Sequence, residues 1–213
     1  MSKIWLIAGA GAVLLAGVIG VLVMEEGAPE MPFSSAQKIK KDLKLQDWHE
    51  FSSPHEDFKV LIPSLPQHAS EIIKDPKTQK NQKYDVFVSE ADDGTVFMIT
   101  LITPLEGTDE KSEDLLNRVI QDLSKASEKS KILKKKTGVY KGYPSIDFSI
   151  ENPQVTVNGK AFVKDKTLYM LSSVTKAERY AKEEVDFFIN SFQLTSGSMD
   201  TTPSKPITPV KKP

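Results

Sequence analysis

Along most of this chain, apolar and polar residues alternate with a period that changes from segment to segment. The first segment has no alternation: Ile4 to Met24 carries no charge, and 17 of its 21 residues are apolar. At about 1.5 Å per helical residue, that run can cross a hydrocarbon core of roughly 30 Å. A cleaved signal peptide has a shorter apolar region followed by a small-x-small site. Val21 to Glu26 offers no such site, and no cysteine follows for lipid attachment. The pattern predicts an uncleaved transmembrane signal anchor over 4–24, with a cleaved signal as the alternative. Lys3 precedes the span, while Glu25, Glu26 and Glu30 follow it. That asymmetry predicts a cytoplasmic N-terminus and a domain outside the cytoplasm. Ala8, Ala12, Ala16 and Gly20 recur every fourth residue, which forms a ridge of small side chains where a second helix can approach.

Residues 25–47 carry Pro29 and Pro32 and no sustained period, as expected of a linker. A short amphipathic helix is expected near its end, from Ile39, Leu43 and Leu45 among lysines. Residues 195–213 are rich in Ser, Thr, Pro and Lys. Such a composition predicts a disordered tail, because it buries too little surface to offset the entropy of ordering.

Residues 48–194 read as one domain. Phe58–Ile62, His68–Lys74 and Tyr84–Glu90 are strand patterns, and Val86 and Val88 lie on the face opposite Asp85. Asp92-Asp93-Gly94 reads as a hairpin turn rather than a pair of catalytic or metal-binding carboxylates. Val96–Ile102 is apolar on both alternating faces, the mark of a central strand covered on both sides. Ser112 is the expected N-cap of a helix whose stripe is Leu115, Leu116, Val119, Ile120 and Leu123. Strand patterns follow at 131–137, 143–150, 155–163 and 167–174, and Asn158-Gly159 is either a turn that splits the third or part of it. Thr175 and Glu178 have capping-box spacing ahead of a second helix, which would bury Tyr180, Ala181, Val185, Phe188 and Ile189. Two helices far apart in sequence and a doubly covered sheet predict an α+β fold, an α/β/α sandwich around a largely antiparallel sheet.

Composition then narrows the chemistry. With 28 Lys+Arg against 29 Asp+Glu, the chain is not a strongly basic nucleic-acid binder. The absence of cysteine removes disulfide scaffolds, thiolate zinc sites and thiol nucleophiles. No Gly-x-Ser-x-Gly elbow or glycine-rich phosphate loop follows a strand. His49 to Asp57, with His55, Glu50 and Glu56, offers imidazole and carboxylate ligands, but their spacing on a loop through Pro54 is poor for zinc. The neutral total conceals a dipole: five acids lie between Glu106 and Asp114, and seven lysines between Lys125 and Lys141. Lys131, Lys134, Lys135 and Lys136 form the candidate interaction cluster, able to meet an acidic partner or anionic lipid. Lysines at a sheet edge also discourage aggregation, and that plainer role stands beside the functional one.

Three phrases of the chain carry a resemblance. They are Trp48-His49-Glu50-Phe51-Ser52-Ser53-Pro54 leading to Phe58-Lys59-Val60-Leu61-Ile62-Pro63-Ser64-Leu65-Pro66, then Gly142-Tyr143-Pro144 before a strand. The third is Leu168-Tyr169-Met170-Leu171, followed by a helix ending in Phe187-Phe188-Ile189-Asn190-Ser191-Phe192. Together they resemble the PsbP-like superfamily, which includes DcrB-type periplasmic proteins and Ran-binding nuclear import factors. The resemblance implies an antiparallel sheet between helical layers and a non-catalytic accessory or binding role. It brings no catalytic motif.

The leading expectation is a single-pass membrane protein that displays a non-enzymatic domain to a protein partner, with no cofactor and no nucleic acid. A pocket between sheet and helix for a small ligand is the alternative. A hydrolase or metal enzyme built on the His49–Asp57 loop is the third.

Overall fold

The computed structural model describes residues 45–195 except 54–57, 76, 108, 128 and 177–181. Expectations that fall on the span 4–24, on Ala8, Ala12, Ala16 and Gly20, on most of the linker and on nearly all of the tail lie outside these residues. Among the described residues, no helix is long and apolar enough to cross a membrane.

After a single 3-10 turn, Leu45–Asp47, the elements run β1 (His49–Ser52), β2 (Phe58–Ile62), β3 (Gln67–Lys74), β4 (Asn81–Glu90), β5 (Val96–Pro104) and α1 (Ser112–Lys125). Then come β6 (Lys131–Tyr140), β7 (Tyr143–Glu151), β8 (Val155–Lys164), β9 (Thr167–Lys176), α2 (Lys182–Ser191) and β10 (Gln193–Leu194). The fold is mixed α+β and dominated by antiparallel sheet. Seven strands form one sheet in the order β3-β4-β5-β9-β8-β7-β6, and β1-β2-β10 form a second.

β5 lies inside the large sheet, between β4 and β9, and its alternation explains the layers. Val96, Met98 and Ile102 join one core with Leu115, Leu116, Ile120 and Leu123 of α1. Phe97, Ile99 and Leu101 join the other with Val185, Phe188 and Ile189 of α2. Burying each such side chain is worth about 1.5–3 kcal/mol, so doubly apolar strands belong where both faces are covered.

The second layer departs from the expected sandwich. It is not helix alone: β2 lies in it with β1 and β10, and contributes Phe58, Val60 and Ile62 to the same core as α2. Phe58 stacks on Phe192 at 5.2 Å, and Trp48 meets Phe97 edge-on at 4.9 Å. β1 was not expected, because its mostly exposed residues carry no apolar alternation.

Local expectations fared unevenly. Gly94 has a φ of 79° and its N–H bonds to Ala91 O, as the hairpin turn requires. Ser112 is not the N-cap; Lys111 is, with extended backbone and no side-chain hydrogen bond. Its carbonyl accepts from Leu115 N–H, so the helix begins without a capping side chain. Asn158-Gly159 is not a turn, and β8 runs through it unbroken. Thr175 is not a cap either, for it pairs with Thr156 within β9 and donates its hydroxyl to that residue's carbonyl. Glu178, Tyr180 and Ala181 lie outside the described residues.

Candidate interaction surface

Strand β6 is the last of the large sheet, and every position from Lys131 to Val139 is exposed. Its last residue, Tyr140, packs against the core that holds α2, and the other nine belong to neither core. The opposite edge strand, β3, is nearly as exposed, so what sets β6 apart is its row of lysines.

Two local features set its geometry. At one end, Lys141 and Gly142 form a two-residue loop with φ of 51° and 88°. Paired positive φ values define a type I′ turn, whose twist matches that of the strands it joins. Tyr140 and Tyr143 flank it as direct partners. At the other end, the register against β7 shifts between Ile132 and Lys134. Leu133 is thus an extra residue, a β-bulge.

The bulge decides which lysines act together. Lys131, Lys134 and Lys136 pair with Glu151, Ser149 and Asp147, whereas Ile132 and Lys135 pair with Ile150 and Phe148. Phe148 and Ile150 belong to the core beneath α1. Three of the four candidate lysines therefore share the face on the α2 side, and Lys135 stands on the other. Strict alternation would have put Lys131 opposite Lys134 and Lys136.

On that shared face the row continues inward. Lys160 of β8 pairs with Asp147 and lies with it in an ion pair. Its ammonium is also 5.2 Å from the centre of the Tyr140 ring, as is that of Lys141. Tyr140 donates its hydroxyl to Ile189 O at 2.6 Å, tying the strand to the last turn of α2. Burial pushes the Tyr140 phenol up to about 12, so it stays a donor at neutral pH. The face thus presents Lys131, Lys134, Lys136 and Lys160 against Asp147 and Glu151, a net positive shelf. Sequence reading missed Lys160 and Asp147. Their signal was a charged residue inside an otherwise apolar strand pattern.

Two other polar clusters find their partners within the domain. Asp75 accepts from the N–H groups of Lys77 and Thr78 and from Arg118 at 3.1 Å, while Arg118 makes a bidentate pair with Glu110. Burial alone would raise the Asp75 carboxyl, but those backbone donors and the guanidinium outweigh it and hold it below its ordinary value. Glu110 belongs to the acidic segment noticed in the sequence, so part of that segment serves this clasp.

His68 stacks on Phe87 at 4.3 Å, and its Nε2 is 3.2 Å from Oδ1 of buried Asp85. Lys83 Nζ is 2.8 Å from the other carboxylate oxygen, and Ser70 also bonds to Asp85. Burial raises that carboxyl, yet these partners bring it below the ordinary value. Ser70 bonds to the aspartate and not to the imidazole, so the group lacks the order of a nucleophile, base and orienting acid.

His49 and Glu50 lie on β1, where Glu50 pairs with Lys59 at 3.3 Å; His55, Glu56 and Asp57 fall outside the described residues. Among the described residues, no three His, Asp or Glu side chains gather as a metal site.

The chain matches no protein-family model and no curated protein sequence. Among solved structures, it is similar to cyanobacterial PsbP (CyanoP) from Synechocystis sp. PCC 6803, with 13% sequence identity and a TM-score of 0.43. That similarity covers 77% of this chain and 99% of the other.

Proposed function

We propose that this protein is a non-catalytic accessory module, anchored by 4–24 and displaying its folded domain outside the cytoplasm to an acidic protein partner. The observation that carries the reading is β6: ten residues long, exposed on both faces, with Lys131, Lys134 and Lys136 aligned on one of them. Clustered cations on an open surface raise the rate and selectivity of encounter with an acidic partner more than they raise raw affinity.

The test is cross-linking and affinity capture from native membranes, comparing the wild-type chain with Lys134→Glu/Lys136→Glu. A captured acidic protein lost from the variant supports the reading. Identical capture by both removes it. Protease accessibility in intact cells tests the topology separately, since a domain outside the cytoplasm is cut without breaking the membrane.

A further inference from the structure

We infer that the free edge of β6 takes up an extended acidic segment of the partner as an added strand; this rests on the reading above and deepens it.

The Lys141-Gly142 turn sets the hydrogen-bonding phase of β6. In a two-residue hairpin, the flanking residues exchange both of their backbone hydrogen bonds, and the exchange recurs at every second pair. Starting from Tyr140 and Tyr143, the hydrogen-bonded pairs are Gly138–Ser145, Lys136–Asp147 and Lys134–Ser149. Val139–Pro144 falls on a pair without hydrogen bonds, as a proline there requires. Lys134, Lys136 and Gly138 therefore direct their N–H and C=O groups toward β7. Lys135, Thr137 and Val139 direct theirs outward, where no described strand lies.

Side chains specify what can fill that edge. An added strand would place alternate residues beside Lys134 and Lys136, and the intervening ones beside Lys135, Thr137 and Val139. A second copy of β6 would set lysine against lysine, which is destabilising. Acids at alternate positions, separated by Thr or Val, match the charges on one face and the mixed surface on the other. The lysines and the bulge also protect an edge from indiscriminate pairing. Both roles follow from the same physics, since a charge that repels its own kind admits the opposite.

The experiment uses the full chain in nanodiscs and a fluorescent, acetylated eight-residue peptide of alternating Glu and Thr. Two analogues carry N-methyl groups, one at every Glu and one at every Thr. Strand addition uses only alternate peptide amides, so one analogue should lose at least about ten-fold in affinity and the other little. Loss at Thr marks antiparallel addition and loss at Glu parallel. Lys134→Glu/Lys136→Glu should also weaken the parent peptide about ten-fold or more. Thr137→Pro removes an outward donor without touching the β7 ladder, and should abolish binding while preserving the unfolding transition. If that variant does not fold, the methylated pair still decides.

If both analogues bind like the parent, or both fail, strand addition is wrong; lysine dependence alone would leave the acidic-partner reading standing. If the lysine variant binds unchanged, both readings fall. Phosphatidylglycerol nanodiscs that suppress wild-type binding, but not the residual binding of the lysine variant, would place β6 on lipid and overturn the inference.

Discussion

The ring of Phe148 lies across Gly159, its direct partner on the neighbouring strand. A Cβ at Gly159 would sit 2.7 Å from the Phe148 Cζ and 2.4 Å from the Leu171 carbonyl oxygen. The glycine is needed for close approach within the sheet, where its missing side chain makes room for an aromatic neighbour. Gly159→Ala should therefore destabilise the domain by about 1–3 kcal/mol, the usual cost of overpacking. Urea unfolding measures it. Phe148→Leu in the same chain should relieve part of the cost but not all of it, because the carbonyl stays in place. A neutral Gly159→Ala would refute the account.

Arg118 joins α1 to Asp75 in the turn after β3 and to Glu110 before the helix. Removing it leaves Asp75, only 2% exposed, without its cationic partner. Arg118→Ala should cost about 2–4 kcal/mol at neutral pH, more than a surface pair would. Guanidinium unfolding of the two proteins checks the figure.

The same clasp has a pH signature. The Asp75 carboxyl is held below its ordinary 3.8, so the folded state favours the ionised form. Its contribution is complete above 3.8 and is lost as pH falls through the lower, folded-state value. Asp75→Asn should therefore be less stable than wild type at pH 7, and the gap should narrow in strong acid. A difference that holds constant from pH 7 to pH 2 would show that the carboxylate's charge is irrelevant there.

Tyr140 anchors β6 to α2 through one hydroxyl. Tyr140→Phe should lower stability by about 1 kcal/mol, the net value of a hydrogen bond. Hydrogen exchange should rise at β6 and the end of α2, and stay unchanged at α1. Uniform exchange across the domain would show that the bond is not local in its effect.

The β6 lysines also make a prediction independent of any partner. Lys134→Val/Lys135→Val/Lys136→Val should leave folding intact but promote self-association, because an exposed, neutral, β-branched edge pairs with other edges. Light scattering against concentration should rise at once for the variant. If it stays monodisperse, the lysines are not acting as edge guards.

Much of this architecture was legible in the sequence, because the signals are local. The alternation in Val96–Ile102 depends only on the geometry of a strand, and the stripe from Leu115 to Leu123 only on the helical repeat. Gly94 was readable for the same reason, since a positive φ is a property of one residue. Other decisions belong to the tertiary structure, because they depend on pairing between distant segments. Nothing around Phe58–Ile62 reveals that it joins a second small sheet, as that choice is made by Phe192 and Leu194 more than 130 positions along. Asn158-Gly159 carries a turn's composition, but Phe148 and Leu171 use the glycine as space. The lysine cluster shows the division most sharply. Its residues were visible as a group, yet one bulged leucine decides which three share a face, and register exists only once β6 and β7 have paired.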